Sequence, residues 1–260
     1  MAAAERWRQA LESWALPEHV LASAQESPWI HPPELFEVPG VIAPTPSHER
    51  AREVLTSGAT VLDVGCGGGS AAFALTPPAT HVIGVDHQPA MLAMFQANAG
   101  SRALACDVVE GFWPAVSASV PVADVVTAHH VAYNVADIVP FLRALELHAR
   151  ARVVLEVPER HPLSSMSPAW WHFWELERPV EPTAQDLMDV LEEMGIAAHR
   201  HQWTAPPREA QHDPERAAHF MRIRLCLPAS REREVFEYLM ANPIDETRAL
   251  STIWWDATVQ

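Results

Sequence analysis

The sequence has no lysine, and this absence narrows the chemistry available to the protein. All 18 basic residues are arginine, so a lysine Schiff base and a lysine general base are both excluded. The 33 acidic residues bring the formal net charge to −15, and no cluster of basic residues offsets it. Because nucleic-acid binding needs a clustered basic surface, we expect no nucleic-acid partner.

Cysteine and long apolar runs are also scarce. The three cysteines, Cys66, Cys106 and Cys226, are odd in number and form no CxxC pair, which is typical of a reducing compartment. Charged residues interrupt the apolar positions at the N-terminus, so the sequence predicts no signal peptide. Nowhere do 18 apolar residues run together. We therefore expect a cytoplasmic protein that does not associate with membranes.

The apolar residues that are present suffice for one α/β domain with additions. Residues 1–46 combine a short helical pattern with a proline-rich stretch, and we predict an N-terminal arm that lies outside the core. The domain proper is expected over residues 47–260. Lid-like insertions are predicted near 159–182 and 206–246, where polar and aromatic stretches interrupt the regular pattern.

Between residues 60 and 158 short Val, Ile and Leu runs alternate with helical stretches. This pattern predicts βαβ units and a doubly wound parallel sheet, because strands covered on both faces can be apolar throughout. The third strand is expected to end at Asp107. Later strands are expected at 197–204 and 249–257, and in the latter alternation should send one of Trp254 and Trp255 inward and the other outward.

Three helices carry recognisable ends. Ser47 is predicted to cap a helix that stops at Gly58, and a further helix is expected over residues 137–150. Thr183 and Asp186 have the spacing of a capping pair for a later helix.

Four of the ten glycines lie within residues 65–69, directly after an apolar strand. A glycine-rich turn between a strand and a helix lets the backbone approach a ligand and offers free N–H donors. The next strand ends at Asp86, about twenty residues further on, where a carboxylate can accept both ribose hydroxyls. The pattern therefore predicts a nucleotide or nucleoside site.

Dinucleotide enzymes and S-adenosylmethionine enzymes both fit such a site. The dinucleotide fingerprint G-x-G-x-x-G fails from Gly65, because its last position is Ser70. From Gly67 it is a GxGxxA variant ending at Ala72. An NAD-dependent oxidoreductase thus stays as a minor alternative.

The segments VLDVGCGGG, VIGVDHQPAML, ACD and ADVVTAHH together resemble the class I S-adenosylmethionine-dependent methyltransferases over about residues 48–200. The resemblance implies a Rossmann-like, mostly parallel sheet of seven strands with helices on both faces and an antiparallel last strand. It also implies S-adenosylmethionine as cofactor and S-adenosylhomocysteine as product.

The resemblance assigns cofactor contacts residue by residue. In that family the turn at Gly65, Cys66, Gly67 and Gly69 would hold the methionine part, Asp63 would support that turn or the amino group, and Asp86 would hold the ribose, with His87, Gln88 and Met91 nearby. Asp107 would face the adenine amine between Cys106 and Val108, and His129 would pack on the cofactor.

The fourth strand ends in a pair of histidines, His129 and His130, at the edge where α/β sheets place reactive groups. Histidine titrates near neutrality, so either residue is a candidate base or acceptor-orienting group, with Tyr133 and Asn134 beside them. We predict no metal site, because no HExxH or Cys/His cluster has ligand spacing. The motifs of amino-group and cytosine C5 methylation of nucleic acids are absent at 129–134, which favours a small acceptor.

Aromatic residues after the fifth strand are the remaining candidates for the acceptor pocket. Large apolar rings there would exclude water and hold a planar or apolar molecule. The alternative is a helical stripe of tryptophans that docks the segment on the sheet. The candidates are Trp29, His31, His161, Trp170, Trp171 and Trp174, and Trp14 has the same two interpretations.

These observations predict a methyltransferase that transfers a methyl group to a small, partly apolar molecule. A non-catalytic sensor or partner subunit that binds the same cofactor is the alternative from a different class. We expect a monomer or homodimer. The abundance of Ala, Arg and Pro without Lys is typical of a GC-rich bacterial source.

Overall fold

A computed structural model describes residues 1–29, 36–206, 213–242 and 247–258. The strands are β1 Thr60–Val64, β2 His81–Asp86, β3 Ala105–Glu110, β4 Ala123–His129, β5 Ala149–Pro158, β6 His199–Ala205 and β7 Arg248–Asp256. The helices are α1 Ala3–Glu12, α2 Glu18–Leu21, α3 Pro46–Arg52, α4 Ser70–Phe73, α5 Pro89–Ser101, α6 Ile138–His148, α7 Ser167–Trp174, α8 Ala184–Glu193, α9 Pro214–Arg224 and α10 Glu232–Ala241.

All seven strands form one sheet in the order β3-β2-β1-β4-β5-β7-β6. β7 pairs antiparallel with both β5 and β6, and the other pairs are parallel. The predicted doubly wound sheet with an antiparallel last strand is therefore confirmed. The order reverses between β1 and β4, so a crevice opens at their carboxyl ends.

Helices cover both faces of this sheet, which explains why the central strands are apolar throughout. α1, α6 and α8 pack on one face around Trp7, Phe141 and Leu187. α3, α4 and α5 pack on the other face around Phe73 and Phe95. Alternation places Trp255 in the first core and packs Trp254 against the second.

The N-terminal helix corrects the prediction of an arm outside the core. Trp7 is fully buried, and its Nε1 donates a hydrogen bond to the carbonyl of Val135 at 2.8 Å. A tryptophan buries a large apolar area and can still satisfy its N–H, so α1 is held in the main core.

A third apolar cluster, which we call the cap, is separate from the two sheet cores. It joins α2, α7, α9 and α10 around Trp170, Phe173 and Val235, and so combines the two predicted insertions with the N-terminal segment. Arg222, 2% exposed, ties these parts together: its guanidinium binds the carboxylates of Glu26 and Glu232.

Three predicted boundaries differ from the structure. Helix α3 is capped by Thr45, whose Oγ1 accepts from the N–H of His48, and ends at Arg52, well before Gly58. Ser47 instead shares a buried hydrogen bond with Thr252 at 2.7 Å. β3 does not end at Asp107, because its pairing with β2 continues to the register Asp86–Glu110. The capping pair of α8 is confirmed.

No helix within the described residues is both long and apolar enough to cross a membrane.

Candidate functional site

A cleft of about 2460 Å³ lies at the carboxyl ends of the strands, where the strand order reverses. Single small-molecule pockets usually measure roughly 300–1,000 Å³, so this cleft has room for two ligands side by side. The glycine turn and the end of β2 line one part of it, and the ends of β4 and β5 with the cap line another. We call these parts the cofactor half and the acceptor half.

The glycine turn has a backbone that residues with side chains rarely adopt. Gly65, Gly67 and Gly69 have φ angles of +69°, +51° and +98°. A Cβ on Gly68 would lie 2.1 Å from the carbonyl oxygen of Phe36, because the segment at Phe36 crosses the turn. The glycines therefore serve both the turn and a close approach of a second chain segment.

Asp86 ends β2 beside this turn and lines the cleft. Its Oδ2 accepts from the N–H of Gly67 at 3.1 Å, and its Oδ1 accepts from the N–H of Gln88 at 2.9 Å. Each carboxylate oxygen can accept a further bond, so Asp86 can still bind hydroxyl donors. His87 and Gln88 also line the cleft, and Met91 is 2% exposed and does not line it.

Asp63 is buried behind the turn. Its Oδ1 accepts from the hydroxyl of Thr127 at 3.0 Å and its Oδ2 from the N–H of Ala72 at 3.3 Å. Burial raises the pKa of Asp63 to about 7. Of the two roles predicted for Asp63, these contacts favour support of the turn, since they join β1, β4 and α4.

The adenine contacts predicted at the third strand need correction. Asp107 lies in the middle of β3, its side chain is 65% exposed, and its Oδ2 pairs with Nε2 of His81 at 2.8 Å. Asp107 and its neighbours Cys106 and Val108 do not line the cleft, so the structure does not assign them to the cofactor. Gly111 and Phe112, which follow the true strand end, line it instead.

Phe112 is 69% exposed and stacks on the His87 ring, with centroids 4.6 Å apart. This aromatic pair stands where the sequence predicts an acid. The Cys66 thiol in the turn is buried, and burial raises its pKa, so Cys66 is an inert thiol.

The acceptor half contains a cluster of imidazoles around one buried carboxylate. Glu156 on β5 is the Cα partner of His129 on β4, so both residues reach the same edge. Its Oε1 lies 3.1 Å from Nε2 of His130, and its Oε2 accepts from the hydroxyl of Thr45 at 3.2 Å. The His48 ring stacks on the His129 ring at 5.7 Å.

The pKa values of His129 and Glu156 determine which of the two side chains is charged at pH 7. Burial lowers the pKa of His129 to about 4, and its Nε2 is buried with no hydrogen-bond partner among the described residues. His129 is therefore neutral at pH 7. Burial acts to raise the pKa of the Glu156 carboxyl, but the side-chain hydrogen bonds from His130 and Ser47 outweigh it and hold that pKa far below its usual range. Glu156 is thus ionised.

Aromatic rings complete the acceptor half. The Trp14 ring stacks on His161 at 3.9 Å, and Tyr133 meets His161 edge to face at 5.6 Å. Burial lowers the pKa of His161 to about 4, so this ring is neutral at pH 7. Trp29, which is 51% exposed, and Asn134 also line the cleft. The predicted contact at His31 lies outside the described residues.

Trp170, Trp171 and Trp174 do not line the cleft, which corrects the prediction that they belong to the acceptor pocket. Trp170 is buried in the cap beneath Arg178. Trp174 donates from Nε1 to the carbonyl of Leu225 at 2.7 Å, and Trp171 is 55% exposed. The helical stripe therefore docks α7, but on the cap helices and not on the sheet.

Sequence reasoning missed Thr45, His48 and Glu156. A usable signal existed for Glu156, because it stands near the carboxyl end of a predicted strand beside the one that ends in the histidine pair. Thr45 and His48 carried only a helix-capping pattern. Among the described residues, no three His, Cys, Asp or Glu side chains are grouped so that they could hold a metal ion.

Comparisons with known proteins agree with this architecture. A family model described as "Methyltransferase domain" matches residues 61–150. No curated protein matches the chain by sequence.

Among solved structures, a putative sarcosine dimethylglycine methyltransferase from Galdieria sulphuraria is similar, with a TM-score of 0.55, 12% identity and coverage of 96% of this chain and 99% of that one. The YcgJ protein of Bacillus subtilis gives 0.54 at 17% identity, covering 81% and 97%. A coclaurine N-methyltransferase bound to N-methylheliamine and S-adenosylhomocysteine gives 0.53 at 12% identity, covering 97% and 87%.

Residues 61–150 thus match a methyltransferase domain, and the chain has the fold of the class I S-adenosylmethionine-dependent methyltransferases.

Proposed function

We propose that the protein transfers a methyl group from S-adenosylmethionine to a small, partly apolar molecule. The observation that carries this proposal is the pairing of a glycine cradle and the Asp86 carboxylate in one half of a cleft whose other half is lined by rings and histidines. The cleft's size accommodates a cofactor and an acceptor together.

The residues present fit the cofactor. Gly65, Gly67 and Gly68 of the turn line the cleft, and a Cβ on Gly65 would lie 2.5 Å from Val131, so this turn exists only with glycine. Asp86 would hold the ribose hydroxyls, with His87 and Gln88 nearby. Phe112 would offer its exposed ring to the adenine in place of the acid expected from the sequence. Asp63 would keep the turn in place.

When bound, the sulfonium supplies a methyl group and a thioether that leaves with the electron pair of the broken C–S bond. The chain's own residues then have three tasks. The glycine turn and Asp86 fix the cofactor, Trp14 and Tyr133 exclude water around an apolar acceptor, and the histidines at the end of β4 face the reacting group.

The acceptor's partly apolar character rests on the lining of the acceptor half. Trp14, Trp29, Tyr133 and Met166 present apolar area there, and His130 and Glu156 place polar groups beside it at the ends of β4 and β5. A molecule with an apolar body and one polar reacting group matches this distribution.

Calorimetric titration with S-adenosylmethionine, S-adenosylhomocysteine and NAD in parallel tests the proposal. We expect binding of the two sulfur ligands in the micromolar range and no binding of NAD. Binding of NAD alone would instead support an oxidoreductase. Binding of the sulfur ligands without methyl transfer to any acceptor would support the sensor alternative.

A further inference from the structure

We propose that Glu156 is the positioning residue that holds His130 as the proton acceptor of the reaction, and that the acceptor molecule is therefore methylated on an oxygen or nitrogen that bears a proton. The inference rests on the proposed function for its chemistry. Its geometric part, the carboxylate–imidazole pair, stands on the contacts of the described residues.

His130 is held in an unusual backbone conformation. Its φ angle is +61°, in the left-handed region that residues with a side chain rarely adopt. Glu156 fixes this conformation twice: its backbone carbonyl accepts from the N–H of His130 at 2.7 Å, and its side-chain Oε1 lies 3.1 Å from Nε2. Strain that is held in this way at a cleft points to function.

Glu156 is itself fixed from a distant segment. The carboxylate is 6% exposed, and Thr45, the cap of α3, donates to its Oε2 at 3.2 Å. The charged or titratable groups that face it come from β4, as His129 and His130, and from α3, as His48. A buried ionised carboxylate needs such partners, and among these imidazoles the ring of His130 lies within 3.1 Å of Oε1.

The other two imidazoles are less suited to take a proton. Nδ1 of His48 accepts from the N–H of Thr45 at 3.1 Å, which commits that ring to the helix cap. His129 is neutral and buried, with a pKa lowered to about 4, and has no carboxylate bonded to its ring among the described residues. His130 is 32% exposed in its side chain and lines the cleft.

The pair with Glu156 also determines which ring nitrogen of His130 is basic. A carboxylate that binds Nε2 favours the tautomer with the proton on Nε2, which leaves the Nδ1 lone pair for the ligand. The acceptor atom forms a bond to the methyl carbon and gives its own proton to Nδ1, and the resulting imidazolium is stabilised by the Glu156 carboxylate. One proton is released for each methyl group transferred.

This step defines the class of acceptor. An alcohol, a phenol or an amine with an N–H must lose a proton when it is methylated, so each profits from a base in place. A carboxylate, a thioether or a tertiary amine has no such proton, and His130 would be idle.

The tautomer is measurable without an acceptor. We would record ¹⁵N-histidine correlation spectra at alkaline pH and assign His130 by its loss in a His130→Asn variant. The expected result is a proton on Nε2 in the wild type and a mixture of both tautomers in Glu156→Ala. Glu192→Ala, on the exposed face of α8, is the matched control and should leave the tautomer unchanged.

A proton on Nδ1 in the wild type, or an unchanged tautomer in Glu156→Ala, would overturn the pair. If Glu156→Ala does not fold, the wild-type spectrum alone still decides. S-adenosylhomocysteine calorimetry on the same samples separates the proposed function from the proposed Glu156–His130 pair. If the wild type has the predicted tautomer but does not bind S-adenosylhomocysteine, the methyltransferase function fails and the pair stands.

The acceptor class is tested with methyl-labelled S-adenosylmethionine and a panel of phenols, alcohols, primary amines, carboxylic acids and thioethers. We expect label only in the phenols, alcohols and primary amines, because the carboxylic acids of the panel are ionised at the assay pH and the thioethers carry no O–H or N–H. Label in carboxylic acids or thioethers, or in no member, would contradict the acceptor class.

Discussion

The two halves of the cleft are built by different means. The cofactor half comes mainly from one stretch between Asp63 and Phe112, with the segment at Phe36 crossing its turn, and its main contacts run from backbone N–H groups to the carboxylates of Asp63 and Asp86. The acceptor half brings Trp14, Thr45 and Glu156 together from distant parts of the chain, mostly through side chains.

This difference determines how well each half of the cleft tolerates amino-acid substitutions. A backbone turn tolerates few substitutions, because each of its glycines is required either by its φ angle or by a neighbouring atom that a Cβ would clash with. Side chains on separate segments can change one at a time and alter the pocket without altering the turn. The cofactor half should therefore be intolerant of change, and the acceptor half adjustable.

The largest expected effect is in the acceptor half, at Trp14. This side chain is 5% exposed, stacks on His161 and donates to the carbonyl of Glu181 at 2.6 Å. Trp14→Ala should lower the free energy of unfolding by about 3–5 kcal/mol in urea titrations. Trp171→Ala, at a residue 55% exposed and outside the cleft, should change it by less than about 0.5 kcal/mol. Equal effects would mean that Trp14 does not hold the N-terminal segment against the segment that contains His161 and Glu181.

The buried carboxylate of the cofactor half should respond to pH. Burial raises the pKa of Asp63 from 3.8 to about 7, so its contribution to stability is complete below pH 3.8 and is lost as the pH rises through about 7. The free energy of unfolding of Asp63→Asn, measured relative to the wild type, should therefore increase as the pH is raised from 4 to 8, by no more than about 4 kcal/mol. Chemical unfolding at both pH values measures this difference, and a constant difference would show that Asp63 is ionised throughout.

Glycine substitutions sharpen the contrast within the cofactor half. An Ala at Gly69 would keep a φ of +98° and place its Cβ 2.2 Å from the Phe73 ring, so Gly69→Ala should cost about 2–4 kcal/mol. Gly100 lies in α5, and a Cβ added there would have nothing within 4 Å. Gly100→Ala should instead stabilise the protein by up to about 1 kcal/mol. Thermal unfolding compares the two, and a destabilised Gly100→Ala would remove the contrast.

The sequence also predicts the two halves of the cleft to different extents. The strands, the glycine turn and Asp86 were predictable because apolar runs and glycine spacing are local signals. The end of β3 was not, since Val108 and Val109 continue the strand and nothing in the sequence marks its last residue before Gly111.

The acceptor half was predicted only in part, because its contacts join distant segments. His130 was a candidate, but its partner Glu156 is set by the pairing of β4 with β5. Trp170 and Trp174 have the spacing of a helical stripe, and that spacing cannot say whether the stripe faces a ligand or the cap helices. Only tertiary contacts distinguish the two.

Two acids on adjacent strands distinguish a cofactor that lies against the end of β2 from one that lies against the middle of β3. We would titrate S-adenosylhomocysteine calorimetrically into the wild type, Asp86→Asn and Asp107→Asn. We expect Asp86→Asn to lose about 1–3 kcal/mol of binding free energy, since a charge-assisted pair of hydrogen bonds is weakened, and Asp107→Asn to bind as the wild type does. Unchanged affinity in Asp86→Asn, or a loss in Asp107→Asn, would contradict the placement of the cofactor against the end of β2.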